Sequence, residues 1–243
     1  MSQNSNYFKS LNDLITEYNL DSDFVLRHYQ SFIQRRDLPR LIAHYELFKK
    51  IINVPGSIIE IGVNYGQGLL TFANLLETFC CSDRTRIAIG FEAGNGYKKF
   101  SSYDKKMKAF AEKNNNDFSP SQKLLEELIE IKTADNLLKG IPRAKIIFGD
   151  VEQTLPKFMK DNGGLRLSML YIDVNLYEPT KYSLEYLYPL VVPGGIVALN
   201  GYGAGLHNGE SKAVDDFLNS FYHKIEMKKF EFSSIPSVYF TKR

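Results

Sequence analysis

The stretch Ser57-Ile58-Ile59-Glu60-Ile61-Gly62-Val63-Asn64-Tyr65-Gly66-Gln67-Gly68, running on into Leu69-Leu70-Thr71-Phe72-Ala73-Asn74-Leu75-Leu76, decides the fold. Pro55-Gly56 breaks the chain before it, and the apolar β-branched run that follows reads as a buried parallel strand. Leu69, Leu70, Ala73 and Leu76 then fall at helical spacing. Strand, glycine turn and helix together form the unit that holds nucleotide-type ligands in open α/β sheets. A phosphate-binding P-loop needs Gly-Lys-Ser/Thr, and Gln67-Gly68-Leu69 supplies neither the cation nor the hydroxyl. A dinucleotide turn reads G-x-G-x-x-G, whereas Gly62, Gly66 and Gly68 are spaced G-x-x-x-G-x-G. Glu60, inside the strand end, would repel a pyrophosphate and attract an ammonium.

An E-x-G-x-x-x-G-x-G turn resembles motif I of the class I S-adenosylmethionine methyltransferases. That cofactor is a zwitterion with a sulfonium and no phosphate, so an acidic turn suits it.

Working outward, 243 residues suffice for one sizeable α/β domain with appendages. A formal net charge of +2 is too small to argue for nucleic acid or an acidic membrane surface as partner, and neither is expected. No apolar run approaches the ~20 residues of a transmembrane helix, and the N-terminus has no basic start or apolar core of a secretory signal. Adjacent Cys80 and Cys81 pair only with severe strain and make no zinc site alone, so a reducing, cytoplasmic setting is expected.

Residues 1–54 show helical patterns (Leu11, Leu14, Ile15 and Tyr18; then Leu41, Ile42, Tyr45, Leu47, Phe48 and Ile51), with a helix start at Asp37-Leu38-Pro39. This segment is expected to be a lid over the cofactor or a surface that pairs subunits in a homodimer. Residues 55–243 form the catalytic domain. Strands are expected at 57–61, 86–92, 144–148, 167–173 and 195–200, the last after a turn at Val192-Pro193-Gly194. A helix from Ser211 to about His223 and a terminal hairpin, 224–232 with 237–241, complete the chain. The expected fold is α/β: a doubly wound, Rossmann-like, seven-stranded sheet with an antiparallel C-terminal edge hairpin. N-terminal helices and a helical insertion after strand 2 are added to it. That insertion, 94–143, is far longer than a bare crossover needs. It opens with Lys98, Lys99, Lys105, Lys106 and Lys108 among Phe100, Tyr103 and Phe110, and holds a helix through Leu138 capped by Ser119 before Pro120. The lysines read as a solvated face or as a cap that greets an anionic group.

In open α/β sheets the ligand sits at the carboxyl ends of the strands. Those ends carry Glu60 to Gly62, Glu92, Asp150, Asp173 and Asn200, four acids on one edge. Glu92, with Ala93 beside it, is expected to accept hydrogen bonds from a ribose diol. Asp150 is expected to meet an adenine amine, with Val151 supplying backbone to the ring. Glu60 and the turn through Gly62, Val63, Asn64, Tyr65, Gly66 and Gly68 would hold the methionine end, and Asp173 would sit beside the methyl group.

Tyr171-Ile172-Asp173-Val174-Asn175-Leu176-Tyr177-Glu178-Pro179-Thr180, with Pro193-Gly194-Gly195 and Ala213-Val214-Asp215-Asp216-Phe217 downstream, resembles the macrocin O-methyltransferase family from about residue 40 to the C-terminus. The resemblance implies methylation of a sugar hydroxyl in an antibiotic or glycoconjugate. It also implies a D-x-D-L-Y segment and an aspartate pair that together bind magnesium, with the first aspartate taking part in deprotonation. Here the second aspartate is Asn175 and the pair is Asn200-Gly201. Any metal site would therefore be Asp173, Asn175 and Asn200, one carboxylate and two amides, a poor set for an ion that prefers charged oxygen ligands. Metal-independent catalysis is expected, with Asp173 or His207 as the base. His28, His44 and His223 are expected to be structural or surface residues. Three rival readings are an amine or phosphate-derived acceptor, a nicotinamide-dependent oxidoreductase, and a non-catalytic cofactor-binding relative.

Overall fold

The computed structural model describes residues 3–115, 120–221 and 225–243. It divides into two compact units, Met1–Pro39 and Arg40–Arg243. In the first lie helices α1 (Gln3–Glu17), α2 (Ser22–Arg27) and α3 (Tyr29–Phe32). Asp21 caps α2 by accepting from Phe24 N–H at 2.7 Å, and Tyr7 Oη donates to the Phe32 carbonyl. Neither α2 nor α3 buries a residue.

The second unit opens with the body of α4 (Leu38–Ile51), which buries Ala43, His44, Leu47, Phe48 and Ile51. The boundary between compact units thus falls at residue 39/40 and not near 54, because α4 packs into the sheet's own core cluster with Ile58, Phe72 and Tyr171. The elements that follow alternate: β1 (Ser57–Ile61), α5 (Gln67–Phe79), β2 (Ala88–Glu92), α6 (Lys105–Lys113), α7 (Gln122–Asp135), β3 (Ala144–Phe148), α8 (Val151–Asp161), β4 (Leu167–Ile172), α9 (Tyr177–Leu187), β5 (Val191–Leu199), α10 (Asn208–Leu218) and β6 (Val238–Thr241). The sheet order is β3-β2-β1-β4-β5-β6, all parallel except β6. The order reverses between β1 and β4, so the switch point lies beside the Gly62 turn. Both faces are covered, and β1, β2 and β4 are buried throughout, as their unbroken apolar runs require.

Several expectations need correction. Six strands, not seven, are present among the described residues. The first arm of the expected hairpin contributes a single antiparallel bridge, Lys228 to Tyr239. Charged Glu226, Lys228 and Lys229 suit an exposed edge that does not extend the ladder. Val192-Pro193-Gly194 is no turn before β5 but a bulge inside it, where the pairing jumps from Leu167↔Val191 to Met169↔Ile196. Helix α6, in the lysine-rich stretch, was not foreseen. Helix α7 is capped by Ser121, which accepts from Leu124 N–H, and ends at Asp135; Ser119 lies outside the described residues. Helix α10 starts three residues earlier than expected and ends at Leu218, and His223 also lies outside the described residues.

Candidate active site

The glycines of the first turn serve three different ends. Gly62 (φ +85°) abuts β4 so closely that a Cβ would stand 2.2 Å from the Asp173 carbonyl oxygen. Gly66 (φ +85°) takes the left-handed conformation that starts α5. Gly68 leaves room for Glu60, whose Oε1 lies 2.1 Å from where a Cβ would be. Glu60 is therefore turned under the helix start and is 1% exposed. Burial pushes its carboxyl well above the ordinary range, against the pull of Arg40 and the Leu69 N–H. Neither of its oxygens makes a hydrogen bond of normal geometry.

A cleft of about 540 Å³ opens at the carboxyl ends of β1 to β4. Gly62, Asn64, Glu92, Ala93, Asp150, Val151, Asp173 and Asn175 line it, together with Tyr97, Lys98 and Lys99 from the insertion. Glu60, Val63, Tyr65, Gly66, Gly68, Asn200 and His207 are not on its wall. Val63 is packed beneath, where a Cβ on Gly90 would strike it, and Tyr65 points outward at 54% exposure. Glu92 shapes the wall: Asn64 N–H donates to its Oε2 at 2.8 Å and Gly94 N–H to its Oε1 at 3.0 Å. A carboxylate has about four acceptor positions, so a diol can still be received. Asp150 caps α8 through Glu152 N–H and meets Lys99 Nζ at 2.7 Å; that lysine also reaches Glu152 at 3.1 Å. Lys99 is 56% exposed, and such surface pairs yield easily.

At the other end of the cleft Asp173 follows β4. Arg40 Nη2 lies 3.1 Å from its Oδ2. Burial raises the Asp173 pKa, and the Arg40 guanidinium and the Asn200 side chain pull it back down. Asn200 Oδ1 accepts from Tyr171 Oη at 3.3 Å, and His44 Nε2 lies 3.3 Å from the same hydroxyl. Burial, then Arg40, lowers the His44 pKa to about 3, so the ring is a neutral structural group, as expected. Asn175 sits in the left-handed region (φ +61°) and donates through Nδ2 to Tyr97 Oη at 3.1 Å.

The sequence reading missed Arg40 and Glu210. Arg40, Ala43, His44 and Leu47 repeat at i, i+3, i+4 and i+7, which places a charge on the buried stripe of α4. Glu210, fully buried in the first turn of α10, accepts Gly201 N–H at 2.7 Å. Burial raises its pKa to about 8, although the Gly201, Asn175 and Tyr202 N–H groups favour its charged form. His207 precedes α10 with its ring against Gly201, where a Cβ would lie 2.1 Å from Nδ1. Burial lowers its pKa.

The sequence model of the macrocin O-methyltransferase family (TylF) matches residues 31–242. The chain belongs to the macrocin O-methyltransferase family. It is thus an S-adenosylmethionine-dependent methyltransferase. CalS11, a calicheamicin methyltransferase, superposes with a TM-score of 0.86 at 23% identity over 99% of this chain and 93% of its own. Its apo form, described as a TDP-rhamnose 3'-O-methyltransferase, gives 0.81 at 23% identity over 99% and 95%. The O-methyltransferase NovP gives 0.67 at 23% identity over 84% and 79%. At this identity the likeness shows a shared fold. No curated protein sequence matches the chain. No described helix is long and apolar enough to cross a membrane.

The magnesium that the family resemblance implies would find a poor donor set in this chain. Asp173 is the single carboxylate among the three expected ligand positions and already holds a guanidinium, while the Asn200 oxygen holds the Tyr171 hydroxyl. Among the described residues no three His, Cys, Asp or Glu side chains are placed to bind a metal ion.

Proposed function

We propose that the enzyme transfers a methyl group from S-adenosylmethionine to a sugar hydroxyl, of a sugar nucleotide, glycan or glycosylated natural product. The supporting observation is that one cleft joins Gly62, Glu92 and Asp150, suited to a nucleoside with a cationic tail, to Asp173 at the mid-sheet switch point. Glu92 would hold the ribose, Asp150 and Val151 the adenine edge, and the Gly62 and Asn64 backbone the methionine end.

When bound, the cofactor supplies an electrophilic methyl on a sulfonium. Protein groups align the acceptor oxygen in line with the S–CH₃ bond, and alignment is the larger part of such catalysis. The Asp173 carboxylate would take the proton of the acceptor hydroxyl as that oxygen gains its methyl group, the bound cofactor supplying the methyl and its sulfonium becoming a neutral thioether. His207, off the cleft wall, is the second candidate for that proton. We also read Met1–Pro39, with Phe8, Tyr18, Leu26 and Tyr29 exposed, as a lid or a subunit-pairing surface in a dimer.

Incubation with radiolabelled S-adenosylmethionine and a panel of sugar nucleotides and glycosides tests the reading. Label should enter a sugar hydroxyl, and Asp173→Asn should lower turnover ~10²–10⁴-fold, the usual worth of a general base. Transfer only to amines, or a fully active Asp173→Asn, would contradict the acceptor class or the base respectively.

A further inference from the structure

We propose that the Arg40 guanidinium is a fixed cation that stands where a divalent metal would otherwise bind, orienting Asp173 and excluding the ion. This deepens the reading above and rests on its placement of Asp173 at the acceptor end. The first observation is the ion pair itself, Arg40 Nη2 to Asp173 Oδ2 at 3.1 Å, on the single carboxylate left among residues 173, 175, 200 and 201, where the family resemblance implies magnesium ligands. The second is the company Arg40 keeps. Burial opposes its charge, and the neighbouring Tyr171, Asp173 and Glu60 more than restore it; Glu60 is the β1 residue paired across the ladder with Tyr171. A guanidinium stays charged under all conditions a protein survives, so this positive charge cannot be titrated away. The third is what has replaced the other donors. Residue 201 has no side chain, and the His207 ring fills the space beside it. Glu210, the nearby acid on α10, is turned to backbone through one oxygen: Gly201 N–H donates to its Oε1 at 2.7 Å. Asn175, an amide where the resemblance implies a carboxylate, donates its nitrogen to Tyr97 and leaves its oxygen without a partner of normal geometry.

Magnesium binds through one or two carboxylates, keeps near-octahedral geometry and gives up water reluctantly. A divalent ion on Asp173 would meet a full positive charge across the same carboxylate, with amides in place of carboxylates at Asn175 and Asn200. Arg40 supplies the two services such an ion offers this residue, charge and orientation, from a helix anchored by Ala43, Leu47 and Phe48. It acts through Asp173 and is a positioning residue.

The test is a Mn²⁺ titration of the full chain, followed by the paramagnetic resonance of free Mn²⁺, on wild type, Arg40→Gln, Arg40→Lys and Asp173→Asn. Wild type and Arg40→Lys should show no site that Asp173→Asn removes. Arg40→Gln should gain one, with affinity on the order of tenfold or more above wild type, lost again when Asp173→Asn is added. A wild-type site abolished by Asp173→Asn overturns the proposal, and so does an Arg40→Gln protein that stays blank. Circular dichroism checks folding; should Arg40→Gln not fold, Arg40→Met keeps the apolar stem and serves in its place. S-adenosylhomocysteine binding, measured on the same wild-type protein, separates the two ideas. Its failure would count against the transferase reading and leave the metal result standing.

Discussion

The two ends of the sheet treat buried charge in opposite ways. At the amino ends of the strands, Arg86 donates to the Gly56, Ile52 and Ile51 carbonyls and to Ser168 Oγ. Arg143 meets Glu77 at 2.6 Å and donates to the Cys80, Asp83 and Arg86 carbonyls. Glu77 also receives Arg84 and Leu137 N–H, and although burial opposes it, these partners hold its pKa below the ordinary carboxylate value. At the carboxyl ends, by contrast, Glu60 Oε1 and Oε2, Asn175 Oδ1, His207 Nδ1, Glu210 Oε2 and Arg40 Nε are buried without hydrogen-bond partners of normal geometry. The carboxyls of Glu60, Asp173 and Glu210 are all raised. Satisfied buried charge is a fastening. Unsatisfied buried charge costs stability, and its concentration on one edge marks where a ligand would be received.

The largest consequence lies at the fastened end. Arg143→Ala removes the closest partner of Glu77 and the donor to three carbonyls while Arg84 stays, so the loss should approach, from below, the about 3–5 kcal/mol of a buried pair broken from one side. Denaturant unfolding should show that loss, while cofactor affinity of the folded fraction stays at the wild-type value. If stability is unchanged, the contrast between the two ends is wrong.

Much of this was legible in the sequence because acids at strand ends need only the strand boundaries to be placed. Glu92, Asp150 and Asp173 fell where the alternation of apolar runs put them. What stayed hidden depended on neighbours far along the chain. Arg40 looks like a first-turn surface residue until Asp173, 133 positions away, is brought against it. A helix expected from Ser211 leaves Glu210 in a loop, whereas the helix begins at Asn208 and carries the acid in its first turn. Pro193-Gly194 carries ordinary turn chemistry, and only pairing on both sides turns it into a bulge. Glu60 was read as a ligand contact, but Gly68, the residue that makes room for it, shows that the carboxylate is turned under the helix.

A smaller effect separates the ends by pH. A carboxyl whose folded pKa is raised keeps its proton while the unfolded chain has lost it, so its contribution to stability falls as pH rises between the two values. For Glu210 that window runs from the ordinary 4.5 to about 8. Glu77, held low, contributes stability that is present above the unfolded value and disappears on acidification. Melting temperatures from pH 5 to 8 should therefore fall less in Glu210→Gln than in wild type. Parallel curves would mean that Glu210 does not titrate in this window.

The most direct measurement is calorimetric titration of S-adenosylhomocysteine into wild type and Glu92→Ala. In the proposed site, loss of the carboxylate would remove two charge-assisted hydrogen bonds to the ribose diol, each contributing ~1.5–3 kcal/mol. Glu92 also holds the Asn64 and Gly94 N–H groups of the cleft wall, so the enthalpy and the affinity should fall together. The account predicts a single site in wild type and affinity weaker by about tenfold or more in the variant. Equal affinity in the two proteins, both folded, would contradict it and place the nucleoside elsewhere.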